Sequence, residues 1–183
     1  MSTRSSIFSL LLISILLTLS TSACGRWMIK GQVVDAETNN PIENAAVQIS
    51  WWESDSGPIG LAGSFQVEVA EDLSDEKGLF EVPKYSTLFK WYHMAVYKKG
   101  YVCWSSDDIF PTYEKRKDFS LENGMVIKLE RFKDEYDKEK HANFTTISAI
   151  GRKAPGLFDE AIQSERELLY EKAQKRRKDR RRK

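Results

Sequence analysis

Apolar and polar residues alternate with a period of two in several separated stretches of the chain, beginning at Trp27. Trp27, Ile29, Gly31 and Val33 fall on one face of an extended segment and Met28, Lys30, Gln32 and Val34 on the other, the spacing of a β-strand. Residues 35–42, Asp-Ala-Glu-Thr-Asn-Asn-Pro-Ile, are rich in side chains that bond their own backbone or tolerate the left-handed region. Pro41 fixes φ and offers no donor, so the chain is predicted to turn back here. A second strand is expected over residues 45–52, with Ala45, Val47, Ile49 and Trp51 on one face and Ala46, Gln48, Ser50 and Trp52 on the other.

The alternation continues downstream. Residues 57–63 read as a glycine-rich loop, and residues 64–70 as a third strand with Phe65, Val67 and Val69 on its dry face and Gln66 and Glu68 on its wet one. Residues 75–83, Asp-Glu-Lys-Gly-Leu-Phe-Glu-Val-Pro, give a carboxylate turn, a glycine where φ can be positive, and a short strand stopped by Pro83. Residues 90–97 place Trp91, His93, Ala95 and Tyr97 opposite Tyr92, Met94 and Val96, the pattern of a central strand buried on both sides. Residues 98–101 form a turn, and the run 105–123 is irregular, pinned by Ile109, Phe110 and Tyr113. Asn123-Gly124 then turns the chain into a last strand over 125–132. Beyond Lys133 the sequence becomes polar and helix-compatible. After Pro155-Gly156, Leu157, Phe158, Ala161, Ile162, Leu168 and Leu169 recur at helical spacing, predicting an amphipathic helix whose apolar stripe packs on the preceding strands.

The order Ile-x-Gly-x-Val-x-Asp-x-x-Thr-x-x-Pro-Ile-x-x-Ala-x-Val over residues 29–47, Asp-x-x-Gly-x-Phe-x-Val over 75–82 and Lys-Gly-Tyr at 99–101 resembles the carboxypeptidase regulatory-like domain. The resemblance implies a mostly β chain built on a seven-stranded transthyretin-like β-sandwich, serving as an accessory or cell-surface module and not itself catalytic; the spacing after residue 156 adds a C-terminal helical extension. Residues 50–74, which separate the two motifs, form a long stretch carrying Gly57, Pro58, Gly60 and Gly63, so strand pairing there stays open. The expected division is a leader over 1–23, the sandwich over 24–132, and a helical extension with a basic tail over 133–183.

Residues 1–23 have a positive start at Arg4, an apolar run over 7–19 and small residues at 21–23, the pattern of a secretory leader. The run is shorter than the ~20 residues that cross a bilayer. Cys24 follows the small triplet directly, which resembles the lipobox of bacterial lipoproteins, with Thr21 where that pattern carries leucine. The resemblance implies acylation of Cys24 and an N-terminal lipid anchor; the other reading is a general signal-peptidase cut after Ala23 that leaves Cys24 an ordinary thiol. Gly25 is similar to the non-acidic residue that directs such proteins to the outer membrane, so the expected location is the cell envelope, as an outer-membrane lipoprotein facing the periplasm or the surface. Cys103, the second of two cysteines, is either alone or free to pair with Cys24. Its strand-like setting makes it a small hydrophobe in a sandwich wall.

Charge is balanced overall but not evenly spread. Residues 172–183 contain nine Lys or Arg against Asp179, so this end carries +8 in a chain of net +1. Such a block is either a solvated end or a contact for an anionic envelope component such as phospholipid head groups or an acidic glycopolymer; export argues against nucleic acid. No catalytic set, cofactor loop or metal motif stands out, so no enzyme activity, cofactor or metal is expected. His93 and His141 are far apart in sequence, His93 reading as a core residue bonded to backbone and His141 as part of a charged stretch. Asp72, Asp75 and Glu76 do not have the spacing of a calcium loop. Trp51, Trp52, Trp91 and Trp104 are candidates for stacking on carbohydrate or peptide where exposed, and for the core otherwise. The function expected is an exported, lipid-anchored module for recognition or scaffolding, the alternative being a secreted binding protein for carbohydrate, peptide or anionic polymer.

Overall fold

Two sheets are built from the alternating stretches. The computed structural model describes residues 27–56, 62–85, 90–149 and 156–182; the expected leader, Cys24 and the glycines at 57 and 60 lie outside these. Strand β1 (Met28–Asp35) pairs antiparallel with β4 (Leu79–Pro83) and parallel with β9 (Met125–Leu129), giving a three-stranded sheet in the order β4-β1-β9. The second sheet has the order β3-β2-β5-β6, from β2 (Ala46–Ser56), β3 (Ala62–Leu73), β5 (Lys90–Tyr97) and the two-residue β6 (Trp104–Ser105). A separate ribbon pairs β7 (Asp108–Ile109) with β8 (Glu114–Lys115).

The two sheets share one apolar interior. Ile29 and Val33 of β1, Phe80 and Val82 of β4 and Ile127 and Leu129 of β9 pack against Val47, Ile49 and Trp51 of β2 and Met94 and Val96 of β5. Every second residue of each strand enters this layer, as a period of two requires. Gly31 sits where a Cβ would lie 2.3 Å from Phe80 Cζ, so a side chain there would displace the ring from the interior. Gly78, at φ +72°, places its carbonyl 2.8 Å from the Val33 amide, in a conformation side chains resist.

Two sequence expectations need correction. The described residues hold nine strands rather than seven, because the run 105–123 contributes the β7–β8 ribbon. In β3, Phe65 and Val67 face solvent at 50% and 38% exposure, whereas Ala70 enters the interior. The register shifts between Trp51 and Trp52, so Val67 has no partner, and β3 is an edge strand with little interior to fill beyond Ala70.

A second apolar layer lies on the outer face of the four-stranded sheet. Helix α1 (Lys138–Ser148), α2 (Leu157–Ala161) and α3 (Gln163–Arg182) follow the last strand. Phe144, Phe158 and Ile162 pack with Phe110 against Ala46, Ala95, Tyr97, Val102 and Cys103. Asp137 caps α1 by accepting from the Glu139 and Lys140 amides. The single amphipathic helix expected after residue 156 is two helices: Phe158 and Ile162 are buried, whereas α3 has no fully buried residue.

The sandwich has two distinct ends. One gathers Trp27, Pro83, Trp52 and Trp91: Met28 pairs with Pro83, the Lys84 amide donates to the Trp27 carbonyl at 2.6 Å, and the Tyr85 ring meets Trp51 at 4.7 Å. The other gathers Asp35, Ala45, Ser74, Tyr97 and Tyr101, where the first motif meets the turn after β5.

Candidate functional site

At the Tyr97 end, a groove of about 410 Å³ opens between the sandwich and the helices. Tyr101 and Phe132 form its sandwich wall, His141 and Leu168 its helical wall, and Lys99, Lys138 and Glu165 bring charge to it. This volume and largely apolar lining fall in the range of small-ligand sites.

Three elements meet behind the His141 and Glu165 of its lining. The Tyr97 hydroxyl, at the end of β5, donates to Glu165 Oε1 at 2.8 Å. His141, in the first turns of α1, accepts the Cys103 amide on Nε2 at 3.0 Å, which leaves its proton on Nδ1, 3.8 Å from the same Glu165 oxygen. Burial holds His141 down to about 4, so the ring is neutral at physiological pH. Burial, then the Glu165 charge, pushes the Tyr97 phenol up. The Cys103 thiol is pushed up to about 12 by burial and is unbridged. A neutral, buried thiol and a neutral, buried phenol are poor nucleophiles; neither lines the groove, and both hold its walls in place.

His93 performs a second attachment further along α1. Its Nδ1 lies 2.9 Å from Asp107 Oδ2 and its Nε2 3.0 Å from the Ser148 carbonyl oxygen. The ring therefore joins the C-terminal turn of α1 to the loop between β6 and β7. The bond from His93 holds the Asp107 carboxyl below its ordinary value. His93 is thus bonded to backbone, as its sequence setting suggested, but to the helix rather than to a sheet neighbour. His141, which reads as part of a charged stretch, is buried.

The motif residues converge beside the groove. Asp35 Oδ1 accepts the Glu37 and Thr38 amides at 3.0 and 2.9 Å. Its Oδ2 accepts the Tyr101 hydroxyl at 3.1 Å and faces Arg131 Nε at 2.8 Å. The Thr38 amide is the strongest of the influences that bring the carboxyl to about 2.

The remaining sequence candidates are dispersed. Asp72 and Asp75 accept backbone amides at the turn before β4, and among the described residues no group of three or more His, Cys, Asp or Glu is placed to hold a metal ion. Trp51 is wholly buried, and Trp104 packs on Phe119 beneath Arg116. Trp52 and Trp91 stack across adjacent strands, 5.3 Å apart and 11° from parallel. The cations at 172–182 belong to helix α3, which continues unbroken through Arg182. Arg176 contacts Glu139 beside the start of α1. No described helix is long and apolar enough to cross a membrane.

What sequence reading missed is the groove itself. The signal for it was the spacing His141, Phe144, Thr145 and Ser148, one buried face of α1, together with Glu165 one turn after Ile162.

No family model matches the chain, and no curated protein matches it. Among solved structures it is similar to the C-terminal domain of the shaft pilin SpaA from Lactobacillus rhamnosus GG, at 16% identity and TM-score 0.32, over 58% of this chain and 98% of that one. A longer SpaA shaft pilin structure, a double mutant, gives 16% identity and TM-score 0.34 over 58% of this chain; the match spans 46% of that pilin. The major plantain pollen allergen Pla l 1 gives 12% identity and TM-score 0.32, over 60% of this chain and 97% of that one. Likeness at this level assigns neither a family nor a function to the chain.

Proposed function

We propose that the chain is an exported cell-envelope protein, anchored through lipid on Cys24, whose transthyretin-like, carboxypeptidase regulatory-like sandwich serves recognition or scaffolding rather than catalysis. One observation carries the non-catalytic part: His93, His141 and Cys103 are all committed to fastening the helical layer to the sheet. The leader pattern and the position of Cys24 after Thr21-Ser22-Ala23 support the anchor.

The cationic stretch of α3 supports an anionic envelope polymer as partner. Eight Lys or Arg between residues 172 and 182 surround the helix on all sides, with Asp179 the one acid among them. Without an apolar stripe this rod suits surface attraction to a polyanion and not insertion into acyl chains.

The anchor is tested by labelling growing cells with radioactive palmitate and measuring the intact mass of the mature chain. A diacylated N-terminus at Cys24 is the expected result, and an unmodified chain beginning at Cys24 ends the reading. Retention on an acidic glycopolymer that falls steeply with salt and disappears when residues 172–183 are deleted is expected for the helix; retention that survives the deletion dismisses it.

A further inference from the structure

We infer that the end of the sandwich carrying Trp27, Phe65 and Trp91 lies in the headgroup layer of the bilayer that holds Cys24. This deepens the anchor reading above and rests on it. Trp27 is the third residue after Cys24, and three extended residues span at most ~11 Å. The interfacial layer is itself roughly 5–8 Å deep on each side of the hydrocarbon. An acylated Cys24 therefore leaves the start of β1 no room to stand away from the membrane.

The residues at that end are those an interface favours. Trp27 is 78% exposed, Phe65 50% and Trp91 42%, and every strongly exposed tryptophan or phenylalanine among the described residues is found here. They share one end because Trp91 pairs with Trp52, the neighbour of Trp51 on which Tyr85 packs, and Tyr85 follows the Pro83 that pairs with Met28. Phe65 lies in the same register level, opposite Glu53. Amphipathic indoles are enriched at headgroup depth, where the ring is covered and its N–H stays wet.

The arrangement fixes the orientation of the whole molecule. β1 spans eight residues, about 23 Å of rise, and the groove and the base of α3 sit at its far end, beside Tyr97 and Glu165. That distance exceeds the Debye length of about 8 Å at physiological salt. The base of the cationic helix thus lies beyond the electrostatic reach of its own bilayer.

The test uses the mature acylated protein in phosphatidylcholine vesicles containing lipid brominated near the headgroup, with tryptophan fluorescence as readout. Quenching is expected in the wild type and is expected to be roughly halved in a W27F/W91F double variant, which keeps the core residue Trp51 and is checked for an unchanged melting transition. Tryptophans that stay unquenched in the wild type, or quenching unaltered by the double substitution, overturn the inference. So does a doubled mass by light scattering with Trp91 covered in the dimer. Intact mass of the same sample separates the two readings: an unacylated Cys24 defeats the anchor, whereas an acylated chain with unquenched tryptophans defeats the orientation alone.

Discussion

Asp35 and Tyr101 are 66 residues apart in the chain, yet the Tyr101 hydroxyl donates to Asp35 Oδ2 at 3.1 Å. The contact ties the turn after β1 to the turn after β5, on the groove side of the sandwich. Tyr101→Phe should cost about 1 kcal/mol in urea unfolding. Asp35→Asn should cost more, because two amides, a phenol and a guanidinium face that carboxylate. The Asp35 carboxyl is lowered to about 2 from 3.8. Its stabilisation is therefore complete above pH 3.8 and is lost as pH falls through about 2. Unfolding followed from pH 5 to pH 2 should show a shallower acid decline in Asp35→Asn than in the wild type.

His141 titrates in a different window. Its folded value is depressed to about 4 from 6.5, so the unfolded chain takes up the proton first as pH falls. The contribution is fully present above pH 6.5 and is lost on the way down to pH 4, by up to about 3 kcal/mol. His141→Gln keeps an acceptor for the Cys103 amide and removes the titration. Its stability should change less between pH 7 and pH 4 than that of the wild type, as read by denaturant midpoints.

Phe158 is the anchor of the second apolar layer. It is fully buried and meets Tyr97 edge to face, at 6.5 Å between ring centroids. Phe158→Ala should cost about 3–4 kcal/mol, and amide hydrogen exchange should accelerate first in α1 and α3, with β1 and β2 protected for longer. Uniform acceleration across the sheets would mean that the helical layer and the sandwich are one cooperative unit.

How much of this was legible depended on whether a signal was local. Ile29 and Val33, Val47 and Ile49, and Met94 and Val96 were placed by alternation alone, because each strand is buried on at least one face. Gly78 and Asp75 were readable because their turn is made by their own backbone. Phe65 and Val67 were misplaced because alternation cannot report a register shift in a partner strand or the point at which an interior ends. The two-residue strands β6, β7 and β8 are too short to carry any periodicity. His141 looked solvated among Lys138, Glu139 and Lys140, since its burial is decided by Cys103 and Phe132 across the fold. The groove is made of residues from the turn after β5, the segment after β9, α1 and α3, and no spacing in one segment encodes a space between several.

The parallel pairing of β1 with β9 also bears on how such a chain is made. Gly31 finds Met125 only after 94 intervening steps of sequence, and a closure of that length is entropically slow compared with a hairpin. A nascent polypeptide delivered amino end first consequently has its opening strand in hand long before the mate that completes the sheet. Premature collapse into the native sandwich is thereby deferred until nearly the whole β region has emerged from the ribosome.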